Sequence, residues 1–121
     1  MPTNRRKVTS EELKNGVLSK IKLYEDKDFP EAGRIHELIM TANPELCPRL
    51  WYGMPGYAKT KDSAVLCFFR KDTLISIGVT ESANIGQLSE GKSFTASAWY
   101  ITSLDKEAED MIIRIVSKVT K

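Results

Sequence analysis

Ten consecutive residues, PRLWYGMPGY from Pro48 to Tyr57, divide the chain into halves of different hydrophobic period. Before them apolar residues recur at helical spacing; after them they alternate. Pro48 and Pro55 lack a backbone donor, so neither a helix nor a regular ladder is expected to run through the stretch. Gly53 and Gly56 let the chain turn. The segment reads as a corner between helices and a sheet, and it delivers Trp51, Tyr52 and Tyr57 to that junction.

On the helical side, Thr9-Ser10-Glu11-Glu12 forms a capping box, with Thr9 as N-cap. Leu13, Val17, Ile21 and Tyr24 then set one apolar stripe. A second start signal comes next, with Asp28 as cap, Pro30 in the first turn and Glu31 at the box position. Its stripe is Ala32, Ile35, Leu38, Ile39 and Ala42, and Asn43-Pro44 ends it.

Beyond the corner, residues 56–60, 64–70 and 74–79 read as strands of a meander linked at Lys61-Asp62 and Lys71-Asp72. Residues 84–90 predict a short helical turn closed by Gly91, and 94–102 a further strand. Asp105 caps the last helix, whose stripe is Ala108, Met111, Ile112, Ile115 and Val119. The fold class is α+β: an antiparallel sheet of about five strands with helices packed mainly on one face.

A chain of 121 residues suits a single domain spanning 1–121, burying roughly 65% of its unfolded surface, with residues 1–8 expected to be disordered. The charges, 18 basic and 16 acidic, are interspersed and leave no concentrated basic face, so nucleic acid is not an expected partner. Arg5-Arg6-Lys7 reads as a solvated arm. No apolar run approaches the ~18 residues of a membrane span, and no signal-peptide stretch is present. Cys47 and Cys67 stand in no ligand-like spacing and read as reduced, buried thiols of a cytoplasmic protein.

Four groups of residues invite a chemical reading. Gly86 to Ser93, GQLSEGKS, matches the phosphate-loop pattern letter for letter, but Phe94 to Tyr100 beyond it are strand-like where that motif opens a helix. It reads as a loop. His36, the sole histidine, lies beside a buried stripe with no second histidine or cysteine pair to form a zinc site. Glu25, Asp26, Asp28 and Glu31 cluster between the first two helices; oxygen-rich sets suit hard cations and iron, while lysines between them suit a solvated turn. Finally, Trp51, Tyr52, Tyr57, Phe68, Phe69, Trp99 and Tyr100 crowd the predicted sheet. Val65, Cys67 and Phe69 fall on one side of their strand, Ala64, Leu66 and Phe68 on the other. With both sides apolar, the second face is expected to be covered by loops, a partner or a ligand.

The run Glu45 to Tyr57, with Val65 to Phe69, Ile77-Gly78-Val79, Ala83-Asn84-Ile85 and Leu104-Asp105-Lys106, resembles the YdhG-like family of bacterial domains over most of residues 29–120. The resemblance implies a compact α+β fold, one compared with frataxin-type iron chaperones, and it brings no catalytic residues.

The functional expectation is a non-enzymatic domain binding a small molecule or a second copy of the chain, as a homodimer. Its face comprises Trp51, Tyr52, Met54 and Tyr57, with Phe68 and Trp99 from neighbouring strands; no cofactor is expected. The alternative is a frataxin-like iron chaperone using Glu25, Asp26, Asp28 and Glu31.

Overall fold

The computed structural model describes residues 8–89 and 93–121. In chain order these form α1 (Ser10–Glu25), α2 (Ala32–Ala42), β1 (Cys47–Trp51), β2 (Met54–Ala58), β3 (Val65–Lys71), β4 (Ile75–Val79), α3 (Gly86–Ser89), β5 (Ala98–Ile101) and α4 (Lys106–Val119). The five strands lie in sequence order in one antiparallel sheet, so the α+β meander read from the periodicity is what forms. The disorder expected at the N-terminus, save for Val8, and the Gly91 turn lie outside the described residues.

Helix α1 starts at its capping box. The Glu12 N–H donates to Thr9 Oγ1 and the Thr9 N–H to Glu12 Oε1, each at 3.1 Å, satisfying two amides that the helix itself leaves unpaired. Helix α2 departs from expectation. It begins at Ala32, and Glu31 in the capping position makes no side-chain cap bond. Glu25, from the end of α1, accepts the Gly33 N–H at 3.0 Å instead. The linker explains this: Phe29 is 2% exposed, packed at 5.4 Å on Tyr24 and 5.9 Å on Phe69. Burying that ring folds the chain back tightly enough to set the last carboxylate of α1 beside the first turn of α2.

PRLWYGMPGY is likewise not a corner outside the sheet. It is a hairpin, with Trp51 opposite Met54 and the two-residue turn Tyr52-Gly53 between them. Both turn residues have positive φ (52° and 79°), which makes a type I′ turn, the one whose twist matches a two-residue hairpin. In such a hairpin the closing pair is hydrogen-bonded, and bonded and non-bonded pairs then alternate. Pro55 opposite Leu50 and Pro48 opposite Tyr57 both fall on non-bonded pairs. Their missing donors therefore cost the β1–β2 ladder nothing, and β1 is an edge strand whose outer side has no strand to serve.

The main core cluster draws on one face of the sheet. Tyr57, Cys67, Phe69, Ile75, Ile77, Val79 and Ile101 meet Val17, Ile21, Ile35, Ile39, Ile112, Ile115 and Val116 from the helices. Helix α2 lies between α1 and α4, and α1 packs along β1. A bulge between Tyr57 and Ala58 breaks the expected alternation in β3: Ala58 faces Val65, one residue out of phase with Tyr57 and Cys67. Leu66 consequently joins Cys67 and Phe69 in the main core cluster, while Val65 is buried on the opposite face, apart from that cluster. Met111, read as part of the buried stripe of α4, is 43% exposed.

Candidate functional site

The sheet has a second face, whose buried residues Ala58 and Val65 stand apart from the main core cluster. One cross-strand row on it reads Arg49, Gly56, Phe68, Gly78, Ala98. A large ring thus sits between two glycines. A Cβ built on Gly78 would meet Phe68 Cζ at 2.6 Å and the two Cε atoms at 3.0 and 3.1 Å. Ring carbons so nearly equidistant mean that the position meets the ring face-on: Phe68 lies down over β4, where only glycine leaves room. Gly56 serves Trp51 in the same way, since a Cβ there would stand 3.0 Å from Trp51 Cβ and 3.1 Å from Val65 Cγ1.

The Trp51 indole packs on Phe68 with centroids 5.0 Å apart and planes at 44°, and Tyr52 meets it edge-on at 4.7 Å. Tyr52 is 85% exposed and holds a left-handed backbone that a tyrosine adopts with strain. Met54 faces Trp51 across the hairpin. Arg49 ties the β1 side to the loop after β2, donating from Nη1 to the carbonyl oxygens of Lys61 and Ser63. Arg70, two residues beyond Phe68 on β3, pairs with Asp72 at 2.9 Å. The result is a half-open aromatic platform on the sheet; four clefts elsewhere on the described surface are lined by residues other than these rings.

Of the six residues expected to form an aromatic face, Trp51, Tyr52, Met54 and Phe68 come together here. The other two point the opposite way. Tyr57 is fully buried, stacked 6.4 Å from Phe69, because it is separated from Met54 by an odd number of strand positions. Trp99 pairs with Ile77 and packs against the core.

His36 on α2 is 2.8 Å from the Tyr57 hydroxyl through Nδ1. Burial, then Lys14, lowers the His36 pKa, and burial pushes the Tyr57 phenol well above its ordinary value. Both groups are neutral near pH 7, and the imidazole satisfies a hydroxyl that water cannot reach. No local signal in the sequence joins these two residues, 21 positions apart. Both thiols are free, and they cannot meet: Cys67 is in the core, whereas Cys47 pairs with Ala58 at the sheet edge. Burial raises the Cys67 pKa to about 12, so that thiol is no nucleophile.

Of the acidic residues proposed for iron, only Glu25 and Asp26 have engaged carboxylates, and Glu31 Oε1 is buried without a hydrogen-bond partner among the described residues. Glu25 caps α2, Asp26 pairs with Lys22 at 3.1 Å, and the Asp28 carbonyl accepts from Lys71 Nζ. Among the described residues no group of three or more His, Cys, Asp or Glu is placed to hold a metal. In the phosphate-loop lookalike, a four-residue helix, Gly86–Ser89, precedes the Gly-Lys-Ser where a phosphate loop has its helix after it; residues 90–92 lie outside the described residues. No described helix is long and apolar enough to cross a membrane. Comparison with models of known protein families, with curated proteins and with solved structures finds no match.

Proposed function

We propose that the chain is a non-enzymatic binding domain that stacks a planar ring ligand on the outer sheet face, against Trp51, Tyr52, Met54 and Phe68. The observation that carries this reading is the attitude of Phe68, flat over Gly78 with the Trp51 indole beside it. Rings already held in place lose little entropy on meeting a ligand. A flat platform suits a flat partner, whereas compact non-planar ligands are held in enclosing pockets. Arg70, exposed on the same strand, would favour an anionic substituent on the ring. Two free thiols fit a reducing, cytoplasmic setting. The YdhG-like resemblance supports the fold alone and brings no residue roles with it. Iron handling has less in its favour, because the Glu25 and Asp26 carboxylates are engaged separately and no three of the described acidic, His or Cys residues are grouped to hold a metal.

Calorimetric titration with adenosine monophosphate and flavin mononucleotide, against cyclohexanecarboxylate as a non-planar anion, tests the reading. The planar probes should bind and the control should not. Trp51→Ala should weaken binding by about tenfold or more, given roughly 1–3 kcal/mol per stacked ring. Equal affinity in Trp51→Ala, or no binding of either planar probe, overturns it. A dimer in sedimentation that Trp51→Ala dissolves would instead assign the face to a second copy.

A further inference from the structure

The strongest unassigned feature is at the far end of the sheet, between β5 and α4, and it is independent of the aromatic platform. Strand β5 is an edge strand. The Val79 N–H donates to the Ser97 carbonyl at 2.8 Å, which makes that pair, then Ile77 with Trp99 and Ile75 with Ile101, the hydrogen-bonded pairs of this ladder. Ala98 and Tyr100 fall on the non-bonded pairs, so their N–H and C=O groups point away from β4, towards an edge with no strand partner among the described residues. Both residues are exposed, Tyr100 at 76%.

Directly beside this edge, on the helix side, opens a cleft of about 270 Å3. It exists because α4 packs chiefly on α2 and leaves a gap over the last strand. Its floor is Ile77, Trp99 and Ile112; Met111, apolar and 43% exposed, stands at its rim. The volume falls below the ~300–1,000 Å3 usual for small-molecule sites, but it suits one or two side chains. The charges around it are of one sign: Asp105 and Glu107 line it, and no Lys, Arg or His does so among the described residues.

A free strand edge with an adjoining apolar cleft is the combination used in strand addition, where the edge supplies main-chain bonds and the cleft reads alternate side chains. We propose that β5 binds an extended segment of a partner protein, which adds as a sixth strand beside Ala98 and Tyr100. That segment places an apolar side chain in the cleft and a basic one, two residues away, against Asp105 and Glu107. A second copy of this chain fits less well, because self-pairing through β5 would bring two acidic rims together.

The test uses two capped pentapeptides, acetyl-TLTKT-amide and acetyl-TLTET-amide, titrated into the full chain with amide chemical shifts as readout. The lysine peptide should shift the Ala98 and Tyr100 amides and the Trp99 indole. The glutamate peptide should bind at least about tenfold more weakly, the effect of setting a like charge against the rim. Met111→Lys, at an exposed helix position, should abolish binding without unfolding the protein. Tyr100→Pro removes an edge donor but no bond of the β4–β5 ladder, and should abolish it too. Equal binding of both peptides overturns the proposal, as do shifts confined to the Trp51 face or full binding by folded Tyr100→Pro. A dimer in which the same two amides are already protected overturns it in favour of self-association.

Discussion

Tyr52 occupies a position where its own backbone argues against it. A type I′ turn wants Asn-Gly; here it has Tyr-Gly, and the tyrosine carries a φ of 52°. The left-handed conformation costs a residue with a Cβ about 1–2 kcal/mol. The edge contact with Trp51 offsets only part of this, since such pairs are worth about 0.5–1.5 kcal/mol when buried. Tyr52 is 85% exposed and so stands at the low end of that range. Tyr52→Asn should therefore stabilise the protein by about 0.5–1 kcal/mol in chaotrope unfolding. The same change should weaken binding of the planar probes. A gain of stability with undiminished binding would show that the ring is dispensable to the platform; a loss of stability would show that the edge contact outweighs the strain.

At the scale of elements, the chain satisfies its helix ends from unexpected places. Gly33 lets the Glu25 carboxylate reach its N–H, since a Cβ there would stand 2.2 Å from Glu25 Oε2. This sets helix propensity against capping, and a double-mutant cycle separates them. Glu25→Ala should cost about 1 kcal/mol as a lost cap. Gly33→Ala should gain up to about 1 kcal/mol from propensity, but only in the Glu25→Ala background, where no carboxylate is displaced. In the parent it should be neutral or destabilising, leaving a coupling of about 1 kcal/mol by thermal or urea unfolding. Additive effects would mean that the carboxylate simply swings aside.

The same elements show what a sequence can and cannot disclose. Local signals suffice where a structure is stabilised locally: the Thr9–Glu12 box, the Asp105 cap, the alternation in β4 and, Met111 apart, the stripe of α4. Strand β1 is hidden because two prolines speak against a ladder until the turn fixes which pairs are bonded. Closeness in sequence groups Tyr57 with Trp51, although the turn at 52–53 puts their side chains on opposite faces. The bulge beside Ala58, which exchanges the faces of Val65 and Leu66, depends on a partner strand and has no signature of its own.

At the scale of the molecule, two pairings that hold α2 in place titrate in different pH windows. His36 links α2 to the sheet through Tyr57; Lys14 of α1 and Arg34 and Glu37 of α2 line the same surface depression. Its folded pKa lies below the ordinary 6.5, from burial first and Lys14 second. Near and below 6.5 the unfolded chain therefore binds the proton more readily, so this contribution to stability is complete above 6.5 and shrinks as pH falls towards the folded value. Arg34 links α2 to α4 by two bonds of 2.8 Å to Glu109, and these hold the Glu109 pKa below its ordinary 4.5. That contribution is complete above 4.5 and disappears only as pH falls through the folded value. Unfolding midpoints measured from pH 8 down to about pH 3 should consequently fall in two steps, separated by the ordinary histidine and carboxylate ranges. His36→Gln, which can still bond the Tyr57 hydroxyl, should flatten the upper step and leave the lower one. Glu109→Gln should reduce the lower step and leave the upper. An upper step that persists in His36→Gln would assign it to another group and remove the Tyr57–His36 pair from the account of what holds the helix layer on the sheet.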